Sequence, residues 1–186
     1  MVRIKTCVFI SGAGSNFYEL LKRSNNYNFP IRIDLVISDN PKAKGLLIAK
    51  KMRVPFKVFK TKGLTNEVKI LKFLKEKEIS LILLAGYMKI LSKRFIKKFG
   101  KKIINIHPSL LPKFKGLNTY RKILSNNEIK TGCTIHFVNE NLDSGQIILQ
   151  KKFYINKKDD ISSLKRKTQR LEHKSYPEAI IKIFRK

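Results

Sequence analysis

Several things are missing from this chain, and each absence narrows what it can be. No apolar run is long enough to cross a bilayer, although 42% of the 186 residues are hydrophobic, so a soluble protein without a membrane role is expected. No leader is expected either. Met1-Val2-Arg3-Ile4-Lys5 passes straight into Cys7-Val8-Phe9-Ile10 and a glycine turn, which reads as a first strand. There are only two cysteines, Cys7 and Cys133, each inside an apolar strand-like segment. They read as buried thiols in a reducing cytoplasm, not as a disulfide or half of a metal site, and no metal is expected. Internal repeats and low-complexity linkers are also lacking, and the length suits a single domain over residues 1–186.

Acidic residues are scarce: 13 stand against 41 lysines and arginines, giving a formal net charge of +28. Such an excess invites a nucleic-acid-binding reading. Against it, only nine of the basic residues are arginine, the side chain whose planar fork reads phosphates and base edges. The lysines are scattered through every helical stretch in a chain also rich in Ile and Asn. A lysine-biased solvated surface is therefore expected, without specific nucleic-acid binding.

What is present is a regular alternation. Short apolar runs at Ile4–Ile10, Ile31–Ile37, Pro55–Phe59, Leu81–Leu84, Ile103–Ile106, Cys133–Val138 and Ile147–Tyr154 read as strands, most buried on both faces. Between them, Asn16–Lys22, Lys44–Met52, Thr65–Lys77 and Lys93–Phe99 carry apolar residues at helical spacing. Ile161–Phe184 reads as a last helix with a break near Pro177. The pattern predicts an α/β fold with a mostly parallel sheet and helices on both faces. Ligands of such sheets bind beyond the carboxyl ends of the strands.

Three constellations sit at such ends. After the first strand comes Ser11-Gly12-Ala13-Gly14-Ser15-Asn16-Phe17, where two glycines permit a tight turn and Ser15 can cap a helix beginning near Asn16. A helix start of this kind attracts phosphate. Phe17 replaces the third glycine of a dinucleotide fingerprint, which favours a single phosphate, although a plain tight turn explains the residues as well. The second is Asn105-Ile106-His107-Pro108-Ser109-Leu110-Leu111-Pro112. Residues two apart on a strand share a side, so Asn105 and His107 project together and offer two donors to a developing oxyanion; a capped strand end is the plainer reading. The third is His136-Phe137-Val138 followed by the acidic turn Asn139–Gly145. Asp143 there serves turn chemistry or, if it lies near His107, favours the imidazolium and moves protons, while Gly145 relieves the backbone. His136 reads either as a partner in the site or, slightly favoured, as a half-buried strand residue.

Taken together, these segments resemble the glycinamide ribonucleotide formyltransferases. The similarity runs through Ile10–Asn16, Leu84-Ala85-Gly86-Tyr87-Met88-Lys89-Ile90-Leu91-Ser92, Asn105–Pro112, Gly116-Leu117-Asn118-Thr119-Tyr120-Arg121, His136–Val138 and Leu142-Asp143-Ser144-Gly145. The resemblance implies a doubly wound sheet with a Rossmann-like N-terminal half that binds the nucleotide phosphate, and a C-terminal half for folate and catalysis. It implies formyl transfer from 10-formyltetrahydrofolate to the amine of phosphoribosylglycinamide, in purine synthesis, by a monomer or homodimer. It assigns catalysis to Asn105, His107 and Asp143, and nucleotide binding to Gly12, Gly14, Ser15, Asn16 and Glu172. Folate contacts fall to Met88, Lys89, Ile90 and Leu91 together with Asn105. No metal and no covalent enzyme intermediate are implied.

There are departures from the family pattern. Ala13 stands where Asn is frequent, Lys89 where Arg is common and Ser144 where Gly is common, and no arginine stands near Lys62–Gly63 to meet the folate. None touches the three assigned catalytic residues. Formyl-folate deformylases and methionyl-tRNA formyltransferases share the resemblance but usually carry an extra domain. A silent polyanion-binding protein on the same fold is the alternative of a different class.

Overall fold

The computed structural model describes residues 3–60 and 64–184. Strands β1 (Ile4–Ile10), β2 (Ile31–Ser38), β3 (Phe56–Val58), β4 (Leu81–Leu84), β5 (Lys102–His107), β6 (Lys130–Phe137) and β7 (Ile147–Tyr154) form one sheet in the order β3-β2-β1-β4-β5-β6-β7. The first five run parallel; β6 and β7 return antiparallel. The helices are α1 (Ser15–Ser24), α2 (Lys44–Lys51), α3 (Leu64–Glu76), α4 (Lys93–Phe99), α5 (Thr119–Ser125) and α6 (Ile161–Phe184). The expected α/β architecture is thus observed, with element ends moved by a residue or a few. The helix α5 was not foreseen, because seven residues carry too little periodicity to stand out.

Strand parity builds the two sides of the core. Val8, Ile10 and Val36 point to one face and meet Phe17, Leu20, Leu46, Tyr176 and Ile180 from α1, α2 and α6. Their neighbours Cys7, Phe9, Leu35 and Ile37 point the other way, onto Ile70, Leu74 and Phe95 from α3 and α4. Both cysteines are free and buried, as expected. The helix α6 runs unbroken through Pro177, against the expected break: Pro177 and Tyr176 are buried in its packing face, and tertiary contact overrides the one lost backbone bond. Among the described residues no helix is long and apolar enough to cross a membrane.

The strand order reverses between β1 and β4, so the loops leaving these strands diverge and open a crevice at the carboxyl edge of the sheet. The loops after β1, β4 and β5 all reach that edge. The candidate site is built there.

Candidate functional site

The loop after β1 turns at Gly14, whose φ of 75° belongs to the left-handed region. The helix α1 starts at Ser15, with Gly14 in the capping position and no side-chain cap, so Ser15 is the first helical residue and not the expected cap. Without a Cβ at Gly14 the loop packs directly on the start of α2. A β-carbon there would come within 2.6 Å of Gly45 Cα, and Gly45 N–H donates to Gly12 O at 3.0 Å. Gly45 was not singled out from the sequence; a glycine inside a helical pattern was the available signal. Gly12 has open space around its α-carbon, which leaves the loop accessible to a ligand.

Asn16 turns inward from the same loop. Its Nδ2 donates to Glu172 Oε2 at 2.8 Å, so two residues 156 apart in sequence meet as a buried pair. Burial pushes the Glu172 carboxyl up to about 7, against the opposing pull of the Asn16 bond. Asn16 Oδ1 is also buried and has no hydrogen-bond partner among the described residues.

The loop after β4 is stitched to the first. Ser11 N–H donates to Gly86 O at 3.2 Å, and Met88 N–H donates to the Ser11 hydroxyl at 2.8 Å. Met88, Lys89 and Ile90 stay exposed beside the crevice. Leu91 turns inward and joins the core cluster that holds Phe95.

Asn105, His107 and Asp143 come together at the end of β5. Asn105 and His107 share the face of Ile103, as parity requires, and the turn after β6 brings Asp143 over them. Asp143 has φ 45°, while Gly145 lies outside the left-handed region. Gly145 is needed for space, because a β-carbon there would fall 1.7 Å from Phe137 O; the expected relief of backbone conformation is not its role. His107 Nδ1 lies 3.3 Å from Asp143 Oδ2, and His107 Nε2 lies 2.8 Å from Phe114 O. Gly116 N–H donates to Asp143 Oδ2 at 2.9 Å. Asn105 Nδ2 sits 3.4 Å from Asp143 Oδ1 and 3.3 Å from His136 Nε2. Both amide contacts are long, so they are easily exchanged for a stronger bond to an anionic oxygen.

His136, for which a place in the site and a structural role were both open, is therefore part of this cluster. Its Nδ1 faces Phe137 O at 2.8 Å and its Nε2 lies 3.6 Å from Asp143 Oδ1. Register held the signal: His136 is the cross-strand partner of Asn105, and such partners share a face.

The electrostatics of the cluster divide its roles. Burial pushes Asp143 up, but the nearby His136 ring, the bond from the Gly116 N–H and the neighbouring His107 imidazole together hold its carboxyl at about 2. It is a carboxylate at neutral pH. Burial pushes His107 below the ordinary histidine value, opposed by Asp143 and the Phe114 carbonyl and reinforced by His136 and Lys122. Asp143 thus favours the imidazolium as expected, yet its charge does not outweigh burial. Ser144, which replaces a common glycine, spends its hydroxyl locally on Leu142 O at 2.9 Å and on Lys115. Lys62 and Gly63, near which the family resemblance leads one to expect an arginine, lie outside the described residues.

Comparison with known proteins shows the family and its fold. A formyl transferase family model matches residues 4–180. A phosphoribosylglycinamide formyltransferase of Haemophilus influenzae is 41% identical over 184 residues, 97% of this chain and 86% of its own. The enzyme of the same name from Bacillus subtilis is 37% identical over 95% of this chain and 92% of its own. The crystal structure of the Brucella melitensis phosphoribosylglycinamide formyltransferase superposes with a TM-score of 0.92 at 36% identity, covering 100% of this chain and 97% of that one.

Proposed function

The chain belongs to the formyl transferase family, and from that premise we propose that it transfers a formyl group from 10-formyltetrahydrofolate to the amine of phosphoribosylglycinamide, in purine biosynthesis. The relatives favour this acceptor over water or an aminoacyl-tRNA. The observation that carries the reading is the meeting of Asn105, His107 and Asp143 at the carboxyl edge of β5, beside the crevice where the Gly12–Asn16 loop and Met88 converge.

In this reading the nucleotide phosphate rests on the backbone N–H groups at the start of α1, with Gly12, Gly14, Ser15 and Asn16 forming its seat. Glu172 sits beneath that seat and holds Asn16. The folate lies along Met88, Lys89 and Ile90, toward Asn105 and the Asp143 turn. The substrate amine attacks the formyl carbon, negative charge grows on the formyl oxygen, and collapse of this tetrahedral adduct breaks the bond from the formyl carbon to the folate nitrogen, which takes up a proton and leaves as tetrahydrofolate. Asn105 donates to that oxygen from its amide, and His107 contributes the positive charge of its imidazolium. Anionic substrates and the growing oxyanion draw onto His107 a proton that burial alone disfavours. Asp143, a carboxylate in the starting state, stabilises the imidazolium and passes the amine proton on toward the leaving folate nitrogen.

Steady-state formyl transfer by Asn105→Ala and His107→Ala tests the assignment. Each variant should lose roughly 100- to 1000-fold in kcat, with nucleotide binding largely spared. Unchanged kcat in either would remove that residue from the mechanism.

A further inference from the structure

A row of side chains crosses three strands behind the reacting cluster. His107 on β5 is paired with Thr134 on β6, and Thr134 is paired with Gln150 on β7. Cross-strand partners lie side by side on one face, so these three residues form a line from the site toward the edge of the sheet.

Thr134 is fully buried, and its hydroxyl is saturated. A hydroxyl has one hydrogen to give and two lone pairs. This one donates to Ser109 O at 2.6 Å and accepts from Leu111 N–H at 3.1 Å and from Gln150 Nε2 at 2.8 Å. Gln150 Nε2 also donates to Leu111 O at 3.0 Å. That carbonyl can only accept, which fixes the orientation of the amide. Ser109 Oγ closes the turn by donating to Lys113 O at 2.7 Å, and Lys113 N–H donates to Leu110 O at 3.1 Å. The turn from Ser109 to Lys113 is thereby pinned to the sheet by two side chains that touch nothing in the proposed reaction.

The next residue is Phe114. Its φ of 59° is a left-handed conformation that a bulky residue adopts only when its surroundings impose it. This conformation aims Phe114 O at His107 Nε2. Because a carbonyl only accepts, Nε2 carries hydrogen, and the proton that comes and goes is the one on Nδ1, facing Asp143.

We propose that Gln150, acting through Thr134, is a positioning residue for the transfer reaction: the pair holds the Ser109–Lys113 turn so that Phe114 O orients His107 and confines its titrating proton to the side of Asp143. The inference rests on the reading of His107 given above. The groups facing that ring are Asp143 from the turn, His136 from β6, Lys122 from α5 and the Phe114 carbonyl. Of these, the carbonyl is the one the brace controls. It favours the charged ring, so a loosened brace lowers the midpoint of His107 and frees the neutral ring to change tautomer.

The test is nitrogen NMR of the His107 ring across pH in the full chain, alongside kcat and KM, for Gln150→Leu, Thr134→Val and Thr134→Ser. In Gln150→Leu and Thr134→Val the midpoint should fall by roughly half to one unit, with kcat at neutral pH about three- to tenfold lower and KM within about twofold. Thr134→Ser keeps the hydroxyl and should restore the midpoint. Gln150 is exposed on the edge strand, so its variant decides the matter even if Thr134→Val fails to fold. An unchanged midpoint and tautomer in Gln150→Leu would overturn the proposal, as would a loss of thermal stability with the ring titration intact. The ring titration reads the brace whether or not His107 is catalytic, whereas full turnover in His107→Ala would instead overturn the reading on which the proposal rests.

Discussion

Replacing Asp143 by Asn removes one charge and keeps the shape, because the amide oxygen can still accept the Gly116 N–H that now bonds the carboxylate at 2.9 Å. The charge lost stands 3.3 Å from His107 Nδ1. At an effective dielectric of 20, an ion pair at that distance attracts by about 5 kcal/mol, which sets a ceiling of roughly 3.7 pH units on what Asp143 contributes to the charged ring. Pairs of this kind commonly move a partner by roughly one to three units. His107 already titrates below the ordinary value because of burial, so the variant's midpoint falls further. If the imidazolium is the active form, kcat/KM declines as pH rises through the free-enzyme midpoint. In Asp143→Asn that decline should move about one to three units toward acid, and kcat/KM at pH 7 should drop by a factor of about 10 to 1000. The assay is the pH profile of kcat/KM for formyl transfer. An alkaline limb left in place, with activity merely scaled down at every pH, would refute the electrostatic coupling.

Two further predictions concern other parts of the site. Folded Glu172 keeps its proton up to about pH 7, against an ordinary value of 4.5, so this group's stabilising contribution is fully present below 4.5 and is lost as pH rises through about 7. Glu172→Gln should therefore shrink the fall in melting temperature between pH 5 and pH 8, by an amount corresponding to something on the order of 3 kcal/mol, and an unchanged fall would argue against a buried neutral acid. Gly14→Ala puts a β-carbon 2.6 Å from Gly45 Cα at φ 75°, so the loop must shift; the nucleotide KM should rise at least tenfold with folate KM little moved, and equal effects on both substrates would contradict the placement of the phosphate.

The sequence was most legible where a two-residue or helical period was long. The apolar runs located the sheet, and strand parity alone put Asn105 and His107 on one side. It was least legible where meaning depends on pairing between distant strands. His136 stayed between a structural role and a place in the site until register set it opposite Asn105, and nothing in the run Ile147–Tyr154 singled out Gln150 before register set it beside Thr134. Local chemistry misled at three points. Ser15 has the side chain of a cap but is displaced from that position by left-handed Gly14. Pro177 marks a helix end in isolation, yet packing carries the helix through it. Gly145 suggested backbone freedom, and the constraint is the nearby Phe137 carbonyl. The charge state of His107 was beyond reach altogether, because it depends on how much water the folded site excludes.

The central claim is tested most directly by following the folate product formed from 10-formyltetrahydrofolate with phosphoribosylglycinamide, charged methionyl-tRNA, or no acceptor. The account predicts turnover that requires the nucleotide. Turnover sustained by the tRNA or by water alone, with none added by the nucleotide, would contradict it.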